Sequence, residues 1–288
     1  MQANPIFKNK GNDFWAYVRF ISEYGGYSRR LGKGQDYSEG KVLAHSKKEI
    51  KDYLESNNLK YTETILDLVT DYLKYRAEVL NNFVEPNLMM APEAEKIYME
   101  LKQKLWSDYA IDYSPAFNKQ KANKKKPAYF TGIIDYITKI TLMQLTGQDK
   151  YEFNPLKLVY TTNSEGYLTT TLSRRFDGAY PSLINPRIIW EIKEYYYTTT
   201  FGSRIADGVY ETQLDGFEIN QIEKKYSSPI YHVFFADAHL TWWRDGKSYL
   251  CRLVDALNMG LVDELIFGKE VIDRWPVVLK SIVSEKTI

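Results

Sequence analysis

The chain has a single cysteine, Cys251, in 288 residues. One cysteine excludes an internal disulfide and disfavours a cysteine-based zinc site. Histidine is scarce as well: His45, His232 and His239 are too few and too scattered for a metal cluster. His232 lies in the middle of an apolar run and reads as a core histidine. No apolar run reaches the roughly 20 residues that a transmembrane helix needs, and the amino terminus carries no signal-peptide pattern. A cytoplasmic protein is therefore expected. Charge of one sign is missing too, because 38 Lys and Arg face 37 Asp and Glu, a formal net charge of +1. The molecule as a whole is not a strongly basic nucleic-acid binder. A phosphate-loop NTPase is also excluded. Asp245-Gly246-Lys247-Ser248 supplies the end of that motif, but Thr241 stands where its upstream glycine is required. No internal repeat or heptad array interrupts the chain.

What is present is an ordinary globular composition, 44% hydrophobic and 26% charged, in a chain long enough to bury a substantial core. Tyrosine is abundant, with 24 copies. Its apolar ring and polar tip suit interfaces, though a Tyr-rich core would use them equally well.

The first half reads as helical. Asn12 to Tyr24 is amphipathic and stops at Gly25-Gly26. Ser46-Lys47-Lys48-Glu49 is a capping box that opens a helix to about Ser56. A longer helix is expected from Thr62 to about Val84, closed by Pro86. Another starts with Pro92 in its first turn and runs to about Ala110. Phe130 to Leu145 follows, ended by Gly147. From Leu156 the pattern turns Thr-, Tyr- and Val-rich, as strands are. This places a mainly helical region over 1–150, which could contribute to DNA recognition, and a sheet-containing core over 151–288. The α-to-β change need not be a domain boundary, because helices can flank a sheet. The core ends in two helices, Ser248 to Gly260 and about Lys269 to Val283.

Within that core, Arg187-Ile188-Ile189-Trp190-Glu191-Ile192-Lys193 reads as a strand. Side chains alternate faces along a strand. Ile188, Trp190 and Ile192 therefore share one apolar face, while Ile189, Glu191 and Lys193 share the other. Charges on such a strand are costly unless paired or bound to metal. Upstream, Arg174-Arg175-Phe176-Asp177-Gly178-Ala179-Tyr180 also has strand character, joined to it by the turn Pro181 to Pro186. If the two strands pair about 4.8 Å apart, Asp177 and Glu191 can converge on one Mg²⁺, which takes oxygen ligands. Glu-x-Lys also occurs at Glu49, Glu100 and Glu223, each in a charged helical segment where solvent exposure is the simpler reading. Downstream, Ser203 to Tyr226 reads as a helix and Pro229 to Asp237 as a buried strand.

From about Arg174 to Asp237 the sequence resembles the PD-(D/E)xK nuclease superfamily, which includes most Type II restriction endonucleases. The proline that often precedes the Asp is replaced here by Phe176. The resemblance implies an α/β (α+β) restriction-endonuclease-like fold, a mixed sheet flanked by helices and preceded by a helical N-terminal region. It implies that Asp177 and Glu191 bind Mg²⁺ and that Lys193 orients the attacking water. Products would carry a 5′-phosphate. Several members place a Gln on the helix after the catalytic strand, which makes Gln213 a candidate. The RecB-like branch has a Tyr four residues later, where this chain has Phe217.

Around this motif, several groups could contact nucleic acid. Glu194 to Arg204 contains Tyr195, Tyr197, Ser203 and Arg204, and the helix expected to start at Ser203 would favour an anion at its N-terminus. Lys119, Lys121, Lys124, Lys125 and Lys126 form a basic run without an acid. It could supply phosphate contacts or be a solvated loop. Arg29 and Arg30 sit in a glycine-flanked basic segment and could meet phosphates or read bases. The expected partner is double-stranded DNA and the expected assembly a homodimer, since palindromic sites match two-fold symmetry. Two other readings stay open: a structure- or modification-dependent repair or phage-defence nuclease, and a non-cleaving nucleic-acid-binding protein of the same fold.

Overall fold

The computed structural model describes residues 1–8, 10–28, 40–111, 113, 126–197, 203–226 and 229–284. In chain order the helices are α1 Asn12–Gly25, α2 Lys47–Ser56, α3 Glu63–Val79, the short α4 Glu85–Asn87, α5 Ala91–Tyr109, and α6 Tyr129–Thr146. Strands β1 Glu152–Phe153, β2 Tyr160–Thr162, β3 Leu168–Thr171, β4 Gly178–Tyr180 and β5 Ile188–Glu194 follow. The chain then runs through α7 Ser203–Tyr226, β6 Tyr231–Asp237, α8 Lys247–Asn258, β7 Glu264–Phe267 and α9 Val271–Ser284. The fold is the expected mixed α/β (α+β) architecture.

Five strands form one sheet in the order β1-β4-β5-β6-β7. The pairings of β1 with β4 and β4 with β5 are antiparallel, whereas those of β5 with β6 and β6 with β7 are parallel. The parallel pairings require crossovers, which α7 and α8 provide. Burial on both faces explains why β6 is a continuous apolar run. Val233 and Phe235 join Ile188 and Trp190 in a core packed by α6 and α9. Phe234 and Ala236 point the other way, toward α7 and α8. The expected apolar face of β5 is thus in place, with Ile192 packed against the same core. Helices α5 and α6 precede residue 150 yet belong to this sheet core.

The helices α1, α2 and α3 form a separate apolar cluster around Trp15, Ile21, Leu66 and Leu73. A buried polar staple joins it to the sheet region. Arg76 of α3 donates from Nη1 to both Asp255 oxygens of α8 at 3.1 Å, and from Nη2 to Ser22 Oγ of α1 at 2.9 Å. Tyr72 donates to Asp255 Oδ1 at 2.6 Å.

Two expected elements are corrected. The helix from Thr62 does not run regularly to Val84. After Val79 it widens into a π-helical turn, Leu80–Val84, and continues as α4 through Pro86. The Glu85 N–H reaches back to the Leu80 carbonyl, a shifted ladder in which Pro86, having no N–H, breaks no required bond. The strand expected over Arg174 to Tyr180 is only β4. Its continuation is replaced by a side-chain bond, because Asp177 Oδ2 accepts the Ile192 N–H at 2.7 Å.

Candidate active site

The register of β4 on β5 pairs Gly178 with Trp190, Ala179 with Ile189 and Tyr180 with Ile188. Asp177, the residue before β4, lies close enough to Glu191 for its charge to act on that carboxyl. Gly178 permits this register. A Cβ built there would meet the Trp190 indole at 1.9 Å, so the ring can lie across β4 only if that residue has no side chain. Asp177 is also held by its own backbone, whose N–H donates to the Trp190 carbonyl at 3.0 Å.

Glu191 and Lys193 share the α7 side of β5, and Lys193 Nζ lies 2.6 Å from Glu191 Oε1. The lysine stem passes over Gly208 of α7, whose absent side chain leaves it room. Its ammonium also donates to Glu211 Oε2 at 3.1 Å. Arg174 completes the group. Its Nε donates to Asp215 Oδ2 at 3.1 Å and its Nη1 to Glu191 Oε2 at 3.2 Å. Arg174 Nη2 lies 2.9 Å from the same Glu191 oxygen and 3.7 Å from Glu211. The guanidinium packs over the Phe176 ring, 5.2 Å from its centroid.

Acids are crowded at this site: Asp177, Glu191, Glu211 and Asp215 lie around Arg174 and Lys193. Burial pushes the Glu191 carboxyl up to about 8; Asp177 adds to the rise, while Lys193 and Arg174 oppose it. Burial likewise raises Asp215 to about 7 against the pull of Arg174. Burial works against the Lys193 ammonium, but the Glu191, Tyr195 and Glu211 charges outweigh it and hold this group above its ordinary value. Lys193 is thus a donor and a positive charge here rather than a base.

Sequence reading did not single out Arg174, Glu211 or Asp215. Glu211 and Asp215 are one helical turn apart, on the side of α7 that also carries Gly208 and the buried Ile219 and Ile222. Two acids in an apolar stripe at i, i+4 spacing were the available signal. Gln213 is not brought into the group. It is half-buried and lies about 200° around α7 from Glu211 at 100° per residue.

The expected nucleic-acid contacts divide. Tyr195 is corrected: it is buried against Trp242, with ring centroids 5.8 Å apart, and so is withdrawn from any contact surface. Tyr197 is half-buried, and Lys126 is exposed with Nζ 5.6 Å from the Tyr197 ring centroid. Ser203 and Arg204 open α7, but their side chains lie outside the described residues, as do Arg29, Arg30, Lys119, Lys121, Lys124 and Lys125. Next to the site, Glu194 turns to the opposite face and accepts from the Thr131 N–H at 3.0 Å, capping α6. Among the described residues no helix is long and apolar enough to cross a membrane.

A family model described as a domain of unknown function, DUF7687, matches residues 89–282. The chain belongs to that family. The DUF7687 segment contains α5 to α8, most of α9, the whole five-stranded sheet and every side chain of the ion cluster. A second model, the domain of unknown function DUF7690, matches residues 1–83, which hold α1 to α3. The buried Arg76–Asp255 pair therefore links the DUF7690 match to the DUF7687 domain. No curated protein and no solved structure matches the chain.

Proposed function

We propose that this chain is a Mg²⁺-dependent endonuclease that hydrolyses phosphodiester bonds of double-stranded DNA, site-specifically and as a cytoplasmic homodimer. The observation that supports this most is the closeness of Asp177, whose Oδ2 accepts the Ile192 N–H at 2.7 Å, to Glu191, with Lys193 Nζ 2.6 Å from Glu191 on one face of β5. The order β4, β5, α7, β6, with β6 parallel to β5, agrees with the nuclease resemblance of the sequence.

The donor set suits the ion, because Asp177 and Glu191 offer hard carboxylate oxygens. These two residues would hold Mg²⁺, which when bound would offset the charge gathering on the phosphate. The remaining work falls to the chain itself. The Lys193 ammonium would orient the attacking water through its N–H groups and stabilise developing negative charge. Glu211, which shares that ammonium, would keep its stem in place.

One observation favours a second reading. Glu191 is already neutralised by Lys193 at 2.6 Å and Arg174 at 2.9 Å, as expected of a non-cleaving nucleic-acid-binding protein of this fold. Incubation with Mg²⁺ and a long, sequence-diverse duplex separates the two, with Asp177→Asn and Glu191→Gln as controls. Discrete fragments that disappear in both variants support a site-specific enzyme. Smearing or structure-dependent cutting points to a repair or defence nuclease. Binding without cutting by the unaltered chain favours the second reading.

A further inference from the structure

Arg174 stands at the proposed cation site between two acids. Its Nε–H donates to Asp215, a residue with no exposed surface, at 3.1 Å. Its contact with Glu191 is close but poorly aligned. The Nη2 atom is 2.9 Å from Oε2 yet makes no hydrogen bond there, and the bond from Nη1 is longer, at 3.2 Å. The guanidinium therefore bridges Asp215 and Glu191, with one hydrogen bond to each. Among the described residues, four carboxyl groups converge here on Arg174 and Lys193.

We propose that Arg174 is a tethered cation that holds Glu191 in the metal-free protein and yields it when a divalent ion binds. The inference rests on the reading of Asp177 and Glu191 as cation ligands. The Asp215 anchor keeps Arg174 beside the site after the exchange, and the Phe176 ring, 5.2 Å away, gives its planar face a second support. Lys193 does not serve in this way. It follows Glu191 by two residues on the same strand and keeps Glu211 as an alternative partner. Arg174 is a positioning residue: it acts on the ion through Glu191.

The test measures metal binding, without DNA or turnover. Mn²⁺ is titrated calorimetrically into the unaltered chain, Arg174→Gln, Arg174→Lys and Glu191→Gln. Removing a positive charge about 5 Å from a divalent ion should tighten Mn²⁺ binding by about tenfold or more. Arg174→Lys, which keeps the charge, should stay close to the unaltered chain, and Glu191→Gln should bind poorly. Should Arg174→Gln fail to fold, a Mg²⁺ titration of the unaltered chain followed by arginine Nε–Hε NMR decides instead. The Arg174 resonance should move with the binding isotherm, and a stationary resonance overturns the proposal. Mn²⁺ binding that needs Glu191 but is no tighter in Arg174→Gln overturns the role of Arg174 and leaves the cation site standing. An absence of Mn²⁺ binding in the unaltered chain and in Arg174→Gln overturns both.

Discussion

Replacing Gly178 with alanine tests whether the close approach of β4 and Trp190 sets the site. The added Cβ would lie 1.9, 2.1 and 2.3 Å from three atoms of the indole. Ordinary carbon contacts begin near 3.5 Å, so something must move by about 1.5 Å. Trp190 cannot readily yield, since it is wholly buried between Tyr151, with ring centroids 5.6 Å apart, and Trp275, at 5.3 Å. Strand β4 must then lift from β5, losing ladder bonds and drawing Asp177 off the Ile192 N–H. Overpacking of a tight core costs about 1–3 kcal/mol, and the lost backbone bonds put the total near the top of that range. At about 2–4 °C per kcal/mol for a chain of this order, Gly178→Ala should melt roughly 6–12 °C lower. Gly208→Ala is the informative contrast. There the nearest atom is the flexible end of Lys193, 3.0 Å away, so folding should be nearly unaffected while the ammonium shifts. Urea denaturation gives the free-energy difference and calorimetry the melting temperature. A Gly178→Ala protein melting within about 1 °C of the unaltered chain would refute the argument that this glycine fixes the register.

Lys193→Arg should fold and bind DNA but lose cleavage by about a hundredfold or more, because a planar guanidinium cannot take the position of the ammonium; cutting near the original rate would return Lys193 to a structural role. Arg76→Met should lose about 3–5 kcal/mol by stranding buried Asp255, and Arg76→Met with Asp255→Leu should recover most of it; urea midpoints check both, and a single-variant loss below about 1 kcal/mol would contradict a buried staple. Burial lowers His232 from 6.5 to about 4, so between those values the unfolded chain binds more protons than the folded one. Its contribution is complete above pH 6.5 and is lost as pH falls to about 4, on the order of 3 kcal/mol. His232→Asn, which keeps a donor for the Leu261 carbonyl, should show a shallower acid limb in its stability curve. Parallel curves for the two proteins would exclude this cause.

The parts of the fold legible in the sequence are those whose signals are local. The capping box at Ser46 and Glu49 forms as read, Gly147 ends α6 in a left-handed conformation, and α7 spans Ser203 to Tyr226 as its pattern predicts. Strand β5 was readable because one face is apolar and the other charged. Strand β7 was not, because all four of its residues are buried and nothing alternates. Strand β1, at two residues, is too short to carry a period. In the candidate site, the Asp177, Glu191 and Lys193 grouping depends on one turn and one register, both near in sequence. The contribution of α7 depends on which helical face meets the sheet, and that is decided by packing at a distance. Arg174 was hidden for a related reason. Its segment resembles a strand, but its side chain turns in to reach acids of α7 and β5.

The energetics of the cluster bear on why such a site would exist. A buried ion pair is weak support for a fold, since apolar residues of similar volume often stabilise as well or better. Here burial is costly, since it raises both Glu191 and Asp215. The same strand face begins with Ile189, fully buried in an apolar cluster under α7, so hydrophobic continuation was sterically open. Stability would be served by continuing that pattern past Ile189. Glu191 and Lys193 break it where the sheet opens, and Glu211 and Asp215 add negative charge from the facing helix. Four acids gathered about two bases give the proposed cation something to bind, so cation binding, measured before any DNA is added, is the most direct test of the proposal.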